Sequence, residues 1–172
     1  MRWTGPVALL MMLLPGAALA QDFKVETPHV DSIQIYEYGL YQTRSAEKIK
    51  DPKATGGERG TVVNIDLVGV TTTIPAELEM EFGIRYLVEG GPEGAEVPVT
   101  IVMRFPQPGL KEPGKSKPTL ENRQVTVGTV GYAGHYQSYG FDYPWEIVPG
   151  VWTFELWAEG RKMAEQKFNI VR

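Results

Sequence analysis

The stretch Ala76–Val88, AELEMEFGIRYLV, decides the fold class. Its apolar residues occupy every second position from Leu78 to Val88, with charged or small residues between most of them. Because successive side chains of a β-strand point to opposite faces, this period of two predicts a long, half-buried strand that begins at Ala76. The cluster Glu89–Gly94, EGGPEG, is typical of a turn and ends that strand.

A second alternation follows this turn, with Val97, Val99, Ile101, Met103 and Phe105 on one face. Two such runs joined by a Gly-containing loop are typical of a hairpin. We therefore expect these two strands to pair with each other in antiparallel fashion through a loose loop.

Shorter segments rich in β-branched and aromatic residues predict the remaining strands, and no segment has the pattern of a long amphipathic helix. Strands at this spacing, separated by turn clusters, are typical of an all-β fold. The fold class that we predict is an immunoglobulin-like antiparallel β-sandwich of about seven to nine strands. The predicted segments are Ile33–Tyr41, Thr61–Val70, Arg123–Val130, Trp152–Trp157 and Met163–Val171.

The last two strands form a hairpin around Glu159–Arg161, for which two registers are open. A two-residue loop would place Trp152 opposite Lys167, whereas a three-residue loop would place Trp152 opposite Phe168. Because a slip of one residue moves a whole strand to the other face, burial decides between them. We favour the second register, which a β-bulge could accompany.

Two segments are interpreted as mobile loops, because proline and glycine at this density do not suit a central strand. The first is Thr43–Gly60, which contains Pro52, Gly56 and Gly57. The second is Pro106–Pro118, which contains four prolines.

The first twenty residues have the three parts of a secretory signal. Arg2 supplies a positive charge, Val7–Leu14 is an unbroken apolar run, and Ala18–Ala20 offers small residues for cleavage after Ala20. The apolar run is shorter than the roughly 20 residues that a spanning helix needs. Cleavage would leave residues 21–172 as one exported domain in the periplasm or outside the cell.

The composition of this expected mature chain excludes several classes of function. The chain has no cysteine, so thiolate chemistry, zinc–thiolate sites and disulfides are excluded. Removing Arg2 leaves 16 basic against 21 acidic residues, a net charge of −5, which gives no basic surface for nucleic acid. We also predict no membrane span in the mature chain and no cofactor.

Catalytic and metal-binding patterns are weak. His135 would need a serine such as Ser138, but no nucleophile elbow surrounds any serine. On the predicted strand, Glu77, Glu79 and Glu81 would form a carboxylate row, which we interpret as a solvated face rather than a calcium or glycosidase site. We therefore predict no catalytic residue and no metal site.

Six aromatic residues between Gly131 and Pro149 are the most suggestive feature, and two interpretations stay open. Alternate members could fill the core of the sandwich, since large rings are usually buried. Alternatively, rings with polar tips could form a binding platform, with Tyr136, Tyr139 and Trp145 as the candidate ligand contacts. The six residues are Tyr132, Tyr136, Tyr139, Phe141, Tyr143 and Trp145.

The C-terminal third resembles an uncharacterised family of exported bacterial domains. The resemblance rests on the pattern Glu-x-Val-Pro-Gly-x-Trp-x-Phe at Glu146–Phe154, on Gly160–Glu165, and on the upstream segments Ile35–Tyr41 and Phe82–Ile84. It covers roughly Val30 to Val171 and implies an exported β-sandwich of unknown function, with no catalytic residue to transfer.

These observations favour an exported, non-enzymatic binding domain of the bacterial envelope. Its partner would be an envelope protein or a polysaccharide, bound through a sheet face or loops. One alternative is a carbohydrate-binding module that uses exposed aromatic rings. A hydrolase that uses His135 or the glutamates is a further alternative with little support.

Overall fold

The computed structural model describes residues 25–50 and 57–172, and it describes the side chains of these residues except at 43–49 and 58–63. The expected signal peptide, residues 1–20, therefore lies outside the described residues. The described chain is almost entirely β, as predicted. Its strands are β1 His29–Lys50, β2 Glu58–Gly69, β3 Thr73–Pro75, β4 Glu81–Gly91, β5 Glu96–Arg104, β6 Glu121–Thr129, β7 His135–Gly140, β8 Gly150–Ala158 and β9 Arg161–Val171. A 3₁₀ helix at Pro144–Glu146 joins β7 to β8.

The nine strands form two sheets that pack face to face, so the predicted β-sandwich is confirmed. Sheet A is four-stranded with the order β2-β1-β4-β7, and sheet B is five-stranded with the order β3-β9-β8-β5-β6. All neighbouring pairs are antiparallel except β3 and β9, which are parallel. The strands at the sheet edges are therefore β2 and β7 in sheet A, and β3 and β6 in sheet B.

The prediction of a hairpin between the two alternating strands is wrong. β4 pairs with β1 and β7 in sheet A, whereas β5 pairs with β6 and β8 in sheet B. The chain crosses between the sheets through Pro92–Ala95, so the apolar faces of β4 and β5 meet across the core instead of side by side. A local alternation predicts which face of a strand is buried, but it does not predict which sheet the strand joins.

The predicted start of β4 is also wrong. β4 begins at Glu81, and residues 76–80 form a turn in which Glu79 has a φ of 66°. This turn is held by two main-chain hydrogen bonds, from Glu79 N–H to the carbonyl of Phe141 and from Phe141 N–H to the carbonyl of Met80. Leu78 is consequently exposed, although the alternation predicts that it is buried.

The two predicted loops have different outcomes. Residues 43–50 and 58–60 belong to strands β1 and β2, which pair with each other between Leu40–Lys50 and Glu58–Gly69, so the loop prediction is wrong there. Residues 51–56 of that prediction lie outside the described residues. The segment 106–118 forms turns rather than a strand, as predicted, and it is fixed to the sandwich by the fully buried side chain of Leu110.

Phe82 of β4 lies at the centre of the core. Its ring packs against aromatic residues of both sheets, including Phe141, Trp152 and Phe168, with ring centroids 5.1–5.7 Å apart. Mixed edge-on contacts of this kind are favourable beyond the burial of apolar area. The core therefore depends on residues from sheet A and sheet B meeting at one point.

The β8–β9 hairpin confirms the favoured pairing of Trp152 with Phe168 and explains why two registers competed. The favoured three-residue loop is nevertheless wrong, because the loop has only two residues, Glu159 and Gly160, both with the positive φ angles that a tight hairpin turn requires. A bulge next to Leu156 then adds one residue on the β9 side and shifts the pairing. Trp152, Phe154 and Leu156 consequently share the buried face.

Gly83 provides a test of how closely β4 and β7 approach each other. A Cβ atom at Gly83 would lie 2.3 Å from the main-chain oxygen of Gln137, whereas one at Gly69 would meet nothing within 4 Å. We expect Gly83→Ala to lower the free energy of unfolding by about 1–3 kcal/mol, the usual cost of overpacking. Gly69→Ala is the matched control and should change it little. Urea unfolding followed by tryptophan fluorescence measures both, and equal stability of the two variants would contradict the close approach.

Candidate functional site

The crossover from β7 to β8 is organised by the buried carboxylate of Glu146. Its Oε2 atom accepts hydrogen bonds from the main-chain N–H groups of Asp142 and Tyr143, both at 2.8 Å. Its Oε1 atom accepts the hydroxyl of Tyr139 at 3.0 Å. Trp152 then donates its indole N–H to the carbonyl of Val148 at 2.8 Å. These bonds join the end of sheet A to the start of β8 in sheet B.

Burial makes the charged form of Glu146 costly. Only 3% of this residue is exposed. Burial raises the pKa of Glu146 above its usual value, although the hydrogen bonds from Tyr143, Tyr139 and Asp142 oppose the shift. The nearby charge of Asp142 raises the pKa further, in the same direction as burial.

The six aromatic residues of the predicted platform lie in different environments. Tyr139 is 7% exposed and Phe141 is fully buried, and both pack against Trp152, with Phe82 also in contact. No ligand can stack on the ring of Tyr139 in this arrangement. Tyr139 and Phe141 therefore fill the core of the sandwich, as the first of the two interpretations predicts.

Tyr143 and Trp145 lie outside the innermost core. Their rings stack on each other with centroids 5.8 Å apart and planes 11° from parallel. Trp145 is half-buried against the core, and Tyr143 is exposed. One face of each ring is therefore already occupied, and Trp145 does not form a flat surface with the other candidate residues.

Tyr136 lies on the outer face of sheet A. Its ring meets the edge of Tyr41 with centroids 5.0 Å apart, and its hydroxyl donates to Glu81 at 3.2 Å. Ser138 donates to the same carboxylate oxygen at 2.6 Å. Burial and the nearby Glu81 raise the pKa of Tyr136, so its hydroxyl stays protonated and acts as a donor. The candidates Tyr136, Tyr139 and Trp145 are thus not brought together.

His135 and Ser138 are not arranged for nucleophilic catalysis. Their positions on β7 differ in parity, so their side chains point to opposite faces of the strand. The hydroxyl of Ser138 is used by Glu81, and Nε2 of His135 lies 3.0 Å from the main-chain nitrogen of Thr129. His135 also stacks on the ring of Tyr86. It acts as a bridge between β7 and the end of β6.

The predicted carboxylate row is not a strand face. Glu77 and Glu79 lie in the turn before β4, and only Glu81 belongs to the strand. Among the residues that the structure describes, no group of three or more His, Asp or Glu side chains is placed to hold a metal ion. Within the same residues, no helix is long and apolar enough to cross a membrane.

Sequence reasoning missed the surface formed by β6 and the start of β5. Val125 and Val127 are 70% and 58% exposed on the outer face of sheet B. With Glu96 and Pro98 of the neighbouring strand they line an open groove of about 340 Å³, which we call the β6 groove. Val127 lies directly opposite Pro98 in the strand pairing.

β6 reverses the usual pattern, because its valines face solvent and its polar residues face inward. Gly128 is buried on the inner face, where a Cβ atom would lie 2.7 Å from Val99. Gln124 is half-buried and donates to the side-chain oxygen of Gln137 on β7 at 2.8 Å. The sequence shows the alternation of valine with polar residues, but ordinary patterning assigns the valines to the core.

A network of paired charged groups lies at the Arg104–Glu121 end of the β5–β6 pair, away from the residues that line the β6 groove. Arg104 donates to Glu155 at 2.9 Å and also pairs with Glu121, and Trp157 donates its indole N–H to Glu155 at 2.9 Å. Burial alone would raise the pKa of Glu155, but the hydrogen bonds from Arg104 and Trp157 lower it below its usual value. Each of these charges has a partner in the network, whereas Val125 and Val127 expose apolar side chains on the same face.

The fold of this chain is similar to that of a solved structure. The crystal structure of an immunoglobulin-like protein from Pseudomonas aeruginosa is similar to this chain, with a TM-score of 0.52 and 24% sequence identity. The similarity covers 81% of this chain and 96% of that one. At this identity it shows the fold alone, and the chain is an immunoglobulin-like β-sandwich.

The family follows from the sequence. Residues 29–170 match the family described as domain of unknown function DUF3859, and the chain belongs to it. A comparison with curated proteins finds no match.

The role of Glu146 can be measured through stability. We expect Glu146→Ala to lower the free energy of unfolding by about 3 kcal/mol, because it removes the acceptor of two part-buried main-chain N–H groups and of the buried Tyr139 hydroxyl. Glu146→Gln is the control, since its amide oxygen can accept the two N–H groups while its NH₂ group donates to Tyr139. It should lose much less in urea unfolding, and equal losses for Ala and Gln would contradict the assigned bonds.

The pH dependence of these variants tests the raised pKa of Glu146. A carboxyl whose pKa is higher in the folded state binds protons more tightly when folded, so it adds stability at low pH and loses that contribution as the pH rises through the folded pKa. The wild type should therefore gain stability relative to Glu146→Gln as the pH falls from neutral towards its ordinary pKa of 4.5. Unfolding curves of both proteins across this range measure the difference, and a difference that shrinks on acidification contradicts the assignment.

Proposed function

We propose that the protein is a non-enzymatic binding domain of the bacterial envelope that recognises a partner protein through the β6 groove. The observation that carries this proposal is the exposure of Val125 and Val127 beside Pro98 on one sheet face. When a partner covers apolar side chains that face water on neighbouring strands, the free energy of the system falls, which favours binding. The partner class is a protein segment that presents apolar side chains to this face.

The strand arrangement supports the same surface. β6 is the last strand of sheet B, so the groove is open on its free side and a partner can approach without displacing part of the described chain. The charged groups at the Arg104 end of the face are already paired with one another. They would border the contact, while the valines would supply its apolar centre.

Export is the second part of the proposal. It rests on the signal pattern of residues 1–20, with cleavage after Ala20 and residues 21–172 as a single domain. The absence of cysteine means that the domain needs no oxidising step to fold. Periplasm and cell exterior both fit this pattern.

A carbohydrate-binding function has less support from the geometry. Such a site needs exposed ring faces that a sugar can stack against. Tyr139 is buried, Tyr136 packs against the edge of Tyr41, and Tyr143 and Trp145 stack on each other. We therefore favour a protein partner over a polysaccharide.

A pair of double variants tests the β6 groove as the binding surface. Val125→Thr with Val127→Thr keeps the shape and strand preference of these residues but makes them polar. The matched control is Val68→Thr with Val70→Thr, because Val68 and Val70 are 59% and 69% exposed near the edge of the other sheet. We expect the β6 variant to weaken partner binding by about tenfold or more, and the control to bind like the wild type.

The measurement is quantitative affinity capture from solubilised envelope, followed by calorimetric titration of the captured protein with the wild type and both variants. Thermal unfolding first establishes that the variants are folded. Binding that is equal for the wild type and the β6 variant would contradict the proposal. If only the Val68→Thr, Val70→Thr control lost partner binding, the binding surface would lie at the end of β2 instead.

A further inference from the structure

β1 is one continuous strand that pairs with two different neighbours. Its first part, up to Tyr41, pairs with β4, and its second part, from Leu40 to Lys50, pairs with β2. The two pairings overlap only at Leu40 and Tyr41. The paired segments Gln42–Lys50 of β1 and Glu58–Leu67 of β2 therefore extend beyond β4 as a two-stranded unit, which we call the arm.

The arm turns back over the outer face of sheet A. Arg85 of β4 lies opposite Glu37, whereas Ile65 of the arm lies opposite Thr43. In a straight strand the six residues from Glu37 to Thr43 would separate these two pairs by about 20 Å, which no arginine side chain spans. Arg85 nevertheless donates from Nη2 to the main-chain oxygen of Ile65 at 2.8 Å. β1 must therefore bend sharply, which brings β2 over the side of sheet A that carries the Arg85 side chain.

Gly39 provides this bend. It has a φ of 148°, and a Cβ atom at this position would overlap the main-chain oxygen of Gly69, which lies at the end of β2. After Gly69 the chain is held by sheet B again, because Asn169 donates its main-chain N–H to the carbonyl of Thr72 at 2.7 Å. Gly39 and Gly69 therefore mark the two points at which the arm leaves the sandwich.

The surface beneath the arm is polar. Tyr41 lies on it and is only 4% exposed, and its hydroxyl donates to Glu37 at 3.0 Å. Nε of Arg85 lies 3.1 Å from the same carboxylate, but it is buried and makes no hydrogen bond within the described chain. The other groups on this face, which bond to one another, are Glu81, Tyr136 and Ser138. Hydrogen bonds of this kind can be exchanged for bonds to water at a modest net cost.

The arm itself contributes little to the core. Leu67 lies opposite Tyr41, so Leu67 and Ile65 point towards sheet A, and both are only half-buried. Asn64 and Asp66 on the other side of β2 are exposed. No arm residue whose side chain is described is fully buried. Segments with few buried apolar contacts open at a lower free energy than the fold as a whole, so the arm has the features of a unit that opens locally.

We propose that the arm is a hinged cover that closes over the outer face of sheet A, with Arg85 as its latch. In the closed arrangement the guanidinium of Arg85 holds the carbonyl of Ile65. When this bond is released, the arm swings about Gly39 and Gly69, and the hydroxyl and carboxylate groups beneath it become accessible to solvent and to polar ligands. The cover belongs to sheet A and does not depend on the β6 groove of sheet B.

Two variants weaken the closed arrangement from opposite sides. Arg85→Met removes the guanidinium and keeps a long side chain. Ile65→Ser with Leu67→Ser removes the two apolar contacts of the arm and leaves sheet A unchanged. The matched control is Asn64→Ser with Asp66→Ser, which changes the outward side of the same strand. Thermal unfolding establishes that each variant is folded, and the arm variant carries the test alone if Arg85→Met is not.

Hydroxyl-radical footprinting, read by mass spectrometry, measures the opening. We expect Tyr41 to be oxidised about tenfold faster in both weakened variants than in the wild type, because loss of either set of contacts shifts the closed arrangement towards the open one by this order. The control variant should match the wild type. Tyr139, which is buried in the core, should keep its rate in all four proteins. An unchanged rate at Tyr41, or an equal rise at Tyr139, which would mean that the whole fold opens, would overturn the proposal.

A distance measurement separates a swing of the arm from a local change at Tyr41. The chain has no cysteine, so spin labels attach only at the exposed positions chosen for them, Asp66→Cys on the arm and Gln34→Cys on β1 before the bend. We expect one narrow distance distribution in the otherwise wild-type chain, and an additional, longer distance when Arg85→Met is present. Identical distributions with and without Arg85→Met would show that the guanidinium is no latch. Either result leaves the proposed function of the β6 groove unaffected.

Discussion

The hydrogen bonds to the carboxylate of Glu146 fix the chain where it crosses from one sheet to the other. They tie Tyr139 at the end of β7 to the 3₁₀ helix that precedes β8. With this crossover fixed, Tyr139 and Trp152 pack against each other with centroids 4.9 Å apart, and sheet B continues from β8 to β5 and then to β6. This corner therefore fixes where the chain enters sheet B, and β6 lies at the edge of that sheet through its pairing with β5.

The edge at β6 combines two features that proteins usually avoid together. Its valine side chains face solvent, and its odd-numbered main-chain groups have no strand to bond to among the described residues. The inward positions hold Gln124, whose amide is bonded to Gln137, and Gly128, which leaves space for Val99. Because the inward-facing residues of β6 make these contacts, the strand is held with its valines facing solvent. Exposed valines on an edge strand suit a binding surface.

The sequence predicts the local features of this fold better than its connections. Alternation correctly assigns Phe82 to Val88 and Val97 to Met103 to buried faces, because face is a property of a single strand. It does not show that the chain crosses between sheets after Gly91, since both a hairpin and a crossover bury the same side chains. The turn at Glu79 breaks a pattern that otherwise continues back to Leu78, and only the hydrogen bonds to Phe141 and from it mark the break.

The candidate site was predictable in part. The aromatic row stands out in the sequence, but its members divide between the core and the surface according to the parity of β7 and the crossover that follows. The valines of β6 were missed because an alternating strand normally buries its apolar face. Their exposure depends on β6 being an edge strand, which is decided by pairings between segments far apart in the chain.

Residue-resolved amide hydrogen exchange of β6 in dilute solution, measured by NMR, tests the central claim most directly. Leu120 and Val130, the even-numbered neighbours of β6, bond to Phe105 and Ala95 on the β5 side, and the register between them is unbroken. Because main-chain direction alternates along a strand, we expect slow exchange at Gln124 and Thr126 and fast exchange at Val125 and Val127. Slow exchange at all four positions, or fast exchange at the even-numbered residues instead, would contradict the assignment of β6 as a free edge with its valines outward.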